Sequence, residues 1–463
     1  MNKFEKLLLQ QEKDVLVKLL SEYSIKYPEI QNEISAELGQ LDENKEIVDL
    51  KKEIRTIIKK NKSYNFINWR GCDNIMTFYD ELIEKCKQRA NQGYYAVSYT
   101  ILLDIIEQSI KLANIADSSS GSLTWTVDSA IRAVTAVAET INDLGTEQQK
   151  KEAFNSIIRM SKKKVLDGWR TDRYQVLATA LPLITKNNSK KFLKTSSDFL
   201  NNCNDEFTFS LCAREDILLQ VQVFLKLDKR GKAIEVLDIN LSHDDIRKVR
   251  VALALEDLEY DKAEKLVLEK LNSIKERDLY WIKEWHELLD VVYEISNQHN
   301  KRIGNLTILV EKGDIQKYDL LKCLLIEDGF WELEYSELLS KLEKSLPTHY
   351  FADILNREQE WEKLYDLVYN NMEMIKEYGE QLYQDYPLEV TNLIRQYVLK
   401  EMASVYDRKG YRKIGKLVIN YSKYGSKFSA LKLIEELKGL SINKKRTAFQ
   451  DEMKKAEEKI NKL

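Results

Sequence analysis

The 463-residue chain is poor in the two residues that most often interrupt regular structure, with only 15 glycines and 4 prolines. Average usage is about 7% and 5%, so this chain is built for long regular elements joined by short polar turns. Histidine is as scarce as proline, at 4 residues, which leaves little from which to assemble an imidazole-based active site. The five cysteines are Cys72, Cys86, Cys203, Cys212 and Cys323. They are odd in number and contain no C-x-C or C-x-x-C pair. That argues against a disulfide framework and a zinc cage, and they read as buried reduced thiols of a cytoplasmic protein.

Long apolar runs are missing too. A membrane span needs roughly 18 apolar residues, and one of the densest stretches, LLKCLLIEDGF, already carries Lys322. The first residues, MNKFEKLLLQQEKDVL, show no apolar core and no cleavage signal, so no secretion address is expected. Net charge is −3, so no overall field points towards nucleic acid or anionic lipid. What the chain does have is 32% charged and 43% hydrophobic residues, the composition of a core-forming protein with a heavily charged surface.

Helical periodicity dominates. Leu16, Leu19, Leu20 and Tyr23 share one helical face, and Ile30, Ile34 and Leu38 share another across Tyr27-Pro28, which predicts a helical hairpin. A third run passes through Ile47, Ile54, Ile57 and Ile58. Ala96, Tyr99, Leu103, Ile106, Ile110 and Ala113 form a stripe, as do Val127, Ile131, Val134, Ala138 and Ile141. Between those two stripes lies ADSSSGSLT, residues 116–124, which reads as an interhelical turn with Ser and Thr available as caps. A calcium loop fails there on ligand count: with Gly121 at the sixth position, Ala116, Ser118 and Ser120 stand where carboxylates belong, and Val127 where the bidentate glutamate belongs. A phosphate loop would want more glycines, a lysine and a preceding strand.

A short pattern recurs farther on. Arg230-Gly231-Lys232-Ala233, Tyr260-Asp261-Lys262-Ala263, Trp361-Glu362-Lys363-Leu364 and Tyr411-Arg412-Lys413-Ile414 each open an amphipathic run. A small or aliphatic residue three after a bulky one suits the close crossing of paired helices. The fold expected is therefore all-α, an array of antiparallel helix pairs forming a degenerate tetratricopeptide-like α-solenoid. Its expected divisions are N-terminal hairpins over 1–115, central pairs over 116–200, and degenerate repeats over 201–463.

No catalytic constellation assembles. His243, Asp244 and Asp245 contain the H-D pair of metal phosphohydrolases without the distant histidines and aspartate that such a site needs. The structural reading is Ser242 as N-cap with Asp245 in the first turn. His286 opens HELLD, which has Asp290 where a second zinc ligand must stand in HExxH. His299 and His349 lie in polar, turn-like contexts. No catalytic residue, metal ligand or cofactor is expected.

One basic stretch stands out: KKEIRTIIKKNKSYNFINWR, residues 51–70. Lys51, Lys52, Arg55, Lys59, Lys60, Lys62 and Arg70 face a single acid, Glu53, and are followed by Tyr64, Phe66 and Trp69. Phosphate contacts with base stacking would use such residues. The competing reading is a solvated helix face leading into a buried aromatic cluster, and the acidic whole-chain balance favours it. A second basic cluster is SKKKVLDGWRTDR, residues 161–173.

Several segments resemble, in order, the long α-helical region that follows the zinc finger in bacterial SWIM zinc finger proteins. They are LVKLLSEYSIKYPEIQNEI, NFINWRGCDNI, GYYAVSYTILLDIIEQSIKLANIADSSSGSL, VLDGWRTDRYQVLATALPL, and YPLEVTNLIRQYVLKEMASVYDRKGYRKIGKLV with KKRTAFQDEMKKA. Asp117 and Gly121 fit that region's acidic turn, with Ala116 replacing its second acid. The C-x-C…C-x-H zinc motif is absent, so zinc does not carry over. The resemblance implies a helical-repeat scaffold working beside nucleic-acid-processing or defence proteins. The function expected is non-catalytic protein binding, with nucleic-acid contact through 51–70 as the alternative and no membrane partner.

Overall fold

The computed structural model describes residues 8, 11–28, 30, 43–203 and 205–463. Ile34 and Leu38 of the expected N-terminal hairpin lie outside these residues. Among those described, the fold is all-α: 24 α-helices with short 3₁₀ turns, no strand, and two isolated β-bridges. The chain divides into two compact units, Met1–Leu253 and Ala254–Leu463. The loop at 116–124 lies within the first.

The first unit holds α1 (Lys13–Lys26), α2 (Glu43–Asn61), α3 (Trp69–Asn91), α4 (Tyr95–Leu112), α5 (Ser122–Leu144), α6 (Glu147–Ser161), α7 (Arg170–Ala178), α8 (Ser189–Asn201), α9 (Glu206–Lys226) and α10 (Arg230–Ile239). Helix α11 (Asp244–Glu256) crosses the boundary. Around α4 pack α2, α3, α5 and α6. That explains why GYYAVSYTILLDIIEQSIKL is apolar well beyond one stripe: Val97, Ile101, Leu102 and Ile105 are fully buried alongside the expected Tyr99, Leu103, Ile106 and Ile110. A helix that is apolar all round belongs inside. Its buried polar group is satisfied, since Ser98 Oγ donates to the carbonyls of Cys86 and Tyr94 at 2.8 Å each. On α5 all five expected stripe residues are buried.

The second unit contains α12 (Tyr260–Leu271), α13 (Leu279–Ile295), α14 (His299–Glu311), α15 (Tyr318–Glu327), α16 (Trp331–Ser345), α17 (Thr348–Arg357), α18 (Trp361–Asn370), α19 (Ile375–Tyr383), α20 (Pro387–Ser404), α21 (Arg408–Tyr424), α22 (Lys427–Gly439), α23 (Ser441–Lys444) and α24 (Thr447–Lys462). Each helix from α12 to α22 packs on the next, and α24 folds back on α21 and α22. Neighbours joined by so few residues run antiparallel, which is the helix-pair array read from the sequence.

Three of the four occurrences of the sequence pattern follow a recurring turn, and the fourth, at Tyr411, lies inside α21. Arg230, Tyr260 and Trp361 are first residues of α10, α12 and α18, and the fourth residue of each pattern (Ala233, Ala263, Leu364 and Ile414) is buried. Two residues before those three helix starts stand Asp228, Leu258 and Gln359, with φ of 56°, 61° and 58°. Asn297 before α14 and Gly93, Gly313 and Gly329 elsewhere share this left-handed backbone. At Asp228 the N–H bonds Leu225 O at 3.1 Å, and that of Lys229 bonds Phe224 O at 2.8 Å. This pair of bonds satisfies the carbonyls left over at a helix end, the Schellman arrangement. Glycine would fill such positions most easily. Four non-glycine residues do so here, which is how the array manages with so few glycines.

Candidate functional site

The basic stretch begins on α2, whose Leu50 and Ile54 are buried while Ile47, Ile57 and Ile58 pack partly against the same core. A helix advances about 100° per residue, so Lys51, Lys52, Arg55 and Lys59 fall in one arc of roughly that width beside the apolar face, and Lys62 follows just past the helix end. Glu53 and Lys60 project to the far side. All the basic residues of the stretch are exposed except Lys51, which is half-buried. Among the described residues, none of Lys51, Arg55, Lys59, Lys60 or Lys62 forms a salt bridge. Glu46 is instead taken by Arg89, 2.9 Å away.

Beyond α2 the chain makes a two-residue hairpin. Ser63 and Phe66 exchange both backbone hydrogen bonds at 2.9 Å, and the central Tyr64 and Asn65 have φ of 48° and 67°. Two positive φ values are the mark of the mirror-image turn that suits hairpins. A tyrosine at its tip is unusual, because only Gly, Asn and Asp adopt this backbone readily. The buried Ile67 then anchors the hairpin: its N–H bonds Ile115 O at 2.8 Å, and its carbonyl accepts from Asp117 N at 2.8 Å. Asn68 caps α3 by accepting from Gly71 N at 2.9 Å. At Gly71 a side chain would meet Asn61 O at 3.0 Å, so glycine lets the end of α2 approach α3.

The helix face is solvated, but Tyr64, Phe66 and Trp69 do not form the buried aromatic cluster expected to follow it. Tyr64 is fully exposed, and Phe66 and Trp69 are each 51% exposed. Arg70 lies over the Trp69 ring, 5.1 Å from its centre. The turn spends its backbone bonds on holding the hairpin to the 115–117 segment, and that leaves the rings outward.

The second basic cluster is split in use. Arg173 is buried, donating to Asp167 at 2.6 Å and to Lys163 O at 3.1 Å, and Lys163 pairs with Glu107. Yet the two clusters do meet. Lys51 lines a cleft of about 280 Å³ with Arg159 and Lys163, and Arg159 and Lys162 line a neighbouring one of about 710 Å³.

The 116–124 turn joins α4 and α5 as expected, and Ser120 Oγ accepts from Ser122 N, the first N–H of α5, at 3.4 Å, although the N-cap position is not a serine or threonine. The cap is Gly121, with φ 77° and no side-chain bond. Asp117 accepts from Ser119 N at 3.1 Å, and hydrogen bonds from Ser119 hold its carboxyl below the usual range. Ser122 Oγ donates to Asp73 at 3.2 Å. The loop's polar atoms are thus largely bonded to one another.

The N-cap expected at Ser242 falls instead on His243, because α11 begins at Asp244 and Arg247 N bonds His243 O at 2.9 Å. Asp245 pairs with Arg214 at 3.1 Å. In the HELLD segment, His286 Nδ1 lies 2.7 Å from Asn305 Oδ1, and burial lowers the affinity of the ring for a second proton. Asp290 is held by Arg302 at 2.9 Å and Lys317 at 3.4 Å. Among the described residues no three His, Cys, Asp or Glu side chains gather as a metal site would require. Cys72, Cys86 and Cys212 are buried, Cys203 is partly so, and Cys323 is exposed, which corrects the reading of all five thiols as buried. No helix among the described residues is long and apolar enough to cross a membrane.

No family model matches the chain, and no curated protein matches it. A solved circular tandem repeat protein with novel repeat topology and enhanced subunit contact surfaces is similar over 90% of this chain and 96% of its own, at 15% identity and a TM-score of 0.20.

Proposed function

We propose that the chain is a non-catalytic helical-repeat protein of the cytoplasm whose main ligand is another protein. The observation that carries this reading is an exposed aromatic pair at the start of α13. Tyr280 and Trp281 meet edge to face at 5.1 Å, 72% and 47% exposed, beside the exposed Leu279. Rigid aromatics of this kind are the side chains that most often dominate protein–protein binding. Leu258, Phe330 and Leu333 of the same unit are exposed as well. Helix-pair arrays suit the role, because stacking buries a core between neighbours and leaves outer faces free to vary.

The test is affinity capture from the native cell, comparing wild type with Y280A/W281A and nuclease-treated with untreated lysate. Partners that resist nuclease and are lost from the variant support the reading. Partners retained by the variant, or dependent on nucleic acid, overturn it. We also propose a common origin with the helical region of the SWIM zinc finger proteins, on the strength of the ordered segments quoted above. A structure of that region lacking left-handed helix ends at the corresponding positions would refute this.

A further inference from the structure

The α2 edge of the first unit combines three properties that a merely solvated helix face does not need. Its cations, Lys60 apart, are sorted to one side, its aromatics point outward, and its turn is locked. Lys51, Arg55 and Lys59 rise along α2 over about 12 Å, at 1.5 Å per residue, and Lys62 follows just past its end. At one end, Arg159 shares a cleft with Lys51. At the other, the hairpin displays Tyr64, with Phe66 and Trp69 following it. The cleft that Lys51 lines also holds Asp104 and Glu107, and Glu107 is already neutralised by Lys111 and Lys163. The backbone at Tyr64 carries the cost of a left-handed residue, and no packing contact repays it because the ring is fully in solvent. Such strain is characteristic of displayed, functional positions.

We propose that this edge binds single-stranded nucleic acid, with the α2 cations and Arg159 tracking the phosphates and the rings of Tyr64, Phe66 and Trp69 stacking on bases. Aromatic platforms favour single strands, since the bases of a duplex already stack on one another. Nothing on the edge selects between ribose and deoxyribose, so the shared chemistry is a flexible polyanion with free base faces. The net charge of −3 is no obstacle, because counterion release depends on local charge.

The test uses the full chain and fluorescein-labelled oligonucleotides of about 10 residues, as single-stranded RNA, single-stranded DNA and the matching duplex. Anisotropy is read across a salt titration. The single strands are expected to bind more tightly than the duplex. K59Q/K62Q should flatten the plot of log Kd against log salt by about 1.4, at about 0.7 per phosphate. Trp69→Ala should weaken binding roughly fivefold to a hundredfold with the salt slope unchanged. Tyr64→Asn, which keeps a residue tolerant of the left-handed backbone, should do the same and protects the test against a misfolded hairpin. Duplex bound as tightly as single strands, aromatic variants that bind like wild type, or no binding by wild type would each overturn the proposal.

Discussion

The backbone N–H of Glu259 reaches back over a helix end to the carbonyl of Ala254, 2.8 Å away. The same bond joins Lys229 to Phe224, Gln298 to Tyr293, Asp314 to Leu309, Phe330 to Leu325 and Glu360 to Leu355, each within 3.0 Å. In every case the residue between the paired helices has a positive φ. The structural repeat of this protein is therefore better defined by its turn than by any side-chain motif. Among the described residues, the junctions beyond Gln359 do without that turn, as at Asp407 before α21, where φ is −119°.

Leu258 and Gln359 hold their left-handed backbone without the freedom of glycine. Leu258→Gly and Gln359→Gly are expected to stabilise the protein by about 0.5–1 kcal/mol each, the strain released less the entropy glycine adds to the unfolded chain. Gly329→Ala, at φ 73°, should lower stability by a similar amount. Urea unfolding midpoints check all three. A loss on replacing Leu258 with glycine would mean that its side chain contributes more than its backbone costs.

Ala233 and Ala263 are fully buried at the fourth position of their repeats, where paired helices cross. Filling that space should cost more than it gains. Ala263→Leu is expected to destabilise by about 1–3 kcal/mol despite its added apolar area. Lys265→Gln nearby, on the exposed side of α12, should leave the midpoint nearly unchanged. The comparison is made by urea unfolding followed by circular dichroism.

The all-α fold was legible because 3.6-residue periodicity and scarce glycine and proline act locally, residue by residue. The stripes on α4 and α5 were read correctly for that reason. What the periodicity missed was the second buried face of α4, since an all-round apolar helix shows no stripe to count. The left-handed turns were hidden because Leu258 and Gln359 are not turn-forming residues, and only the hydrogen bonds around them select that conformation. The same holds at the candidate site. KKNKSYNFINWR shows its charge openly. Whether Tyr64, Phe66 and Trp69 face inward or outward depends on Ile67 bonding to Ile115 and Asp117, a contact fifty residues away that no local pattern encodes.

The thiols offer a check on burial in both units. Burial pushes the Cys86 thiol up to about 12, and that of Cys212, where the neighbouring Cys203 adds to the effect, to about 12 as well. Only a thiolate attacks a disulfide reagent. In the folded protein at about pH 8, Cys323 should react first and Cys203 more slowly, while Cys72, Cys86 and Cys212 should wait for unfolding. Mass-spectrometric mapping of labelled sites over time reads the order. Early labelling of Cys86 would show that the α3–α4 core opens more readily than its packing implies.

The final prediction concerns acid stability, and it turns on Glu452. This buried carboxylate of α24 receives Arg408 Nε at 2.7 Å, Lys455 at 3.2 Å and Arg412 at 3.2 Å. The hydrogen bond from Arg408 is the largest influence, ahead of the opposing cost of burial, and with Lys455 and Arg412 it holds the carboxyl near 2 against an ordinary 4.5. Gly415 of α21 faces Ala456 and Met453, on the same helix as Glu452. A carboxyl whose pKa is lower in the folded chain stabilises it fully above the unfolded value, and that contribution drains away as pH falls towards the folded value. Stability supplied by Glu452 should thus be intact above about pH 5 and mostly gone near pH 2. Glu452→Gln removes the charge, leaving Arg412 without its carboxylate and Arg408 with Asp451 alone, so the variant should be less stable than wild type at neutral pH. The gap between them should close between about pH 4.5 and pH 2. Urea midpoints of both proteins across that range decide the matter. A gap that stays constant with pH would place the loss in packing rather than in charge.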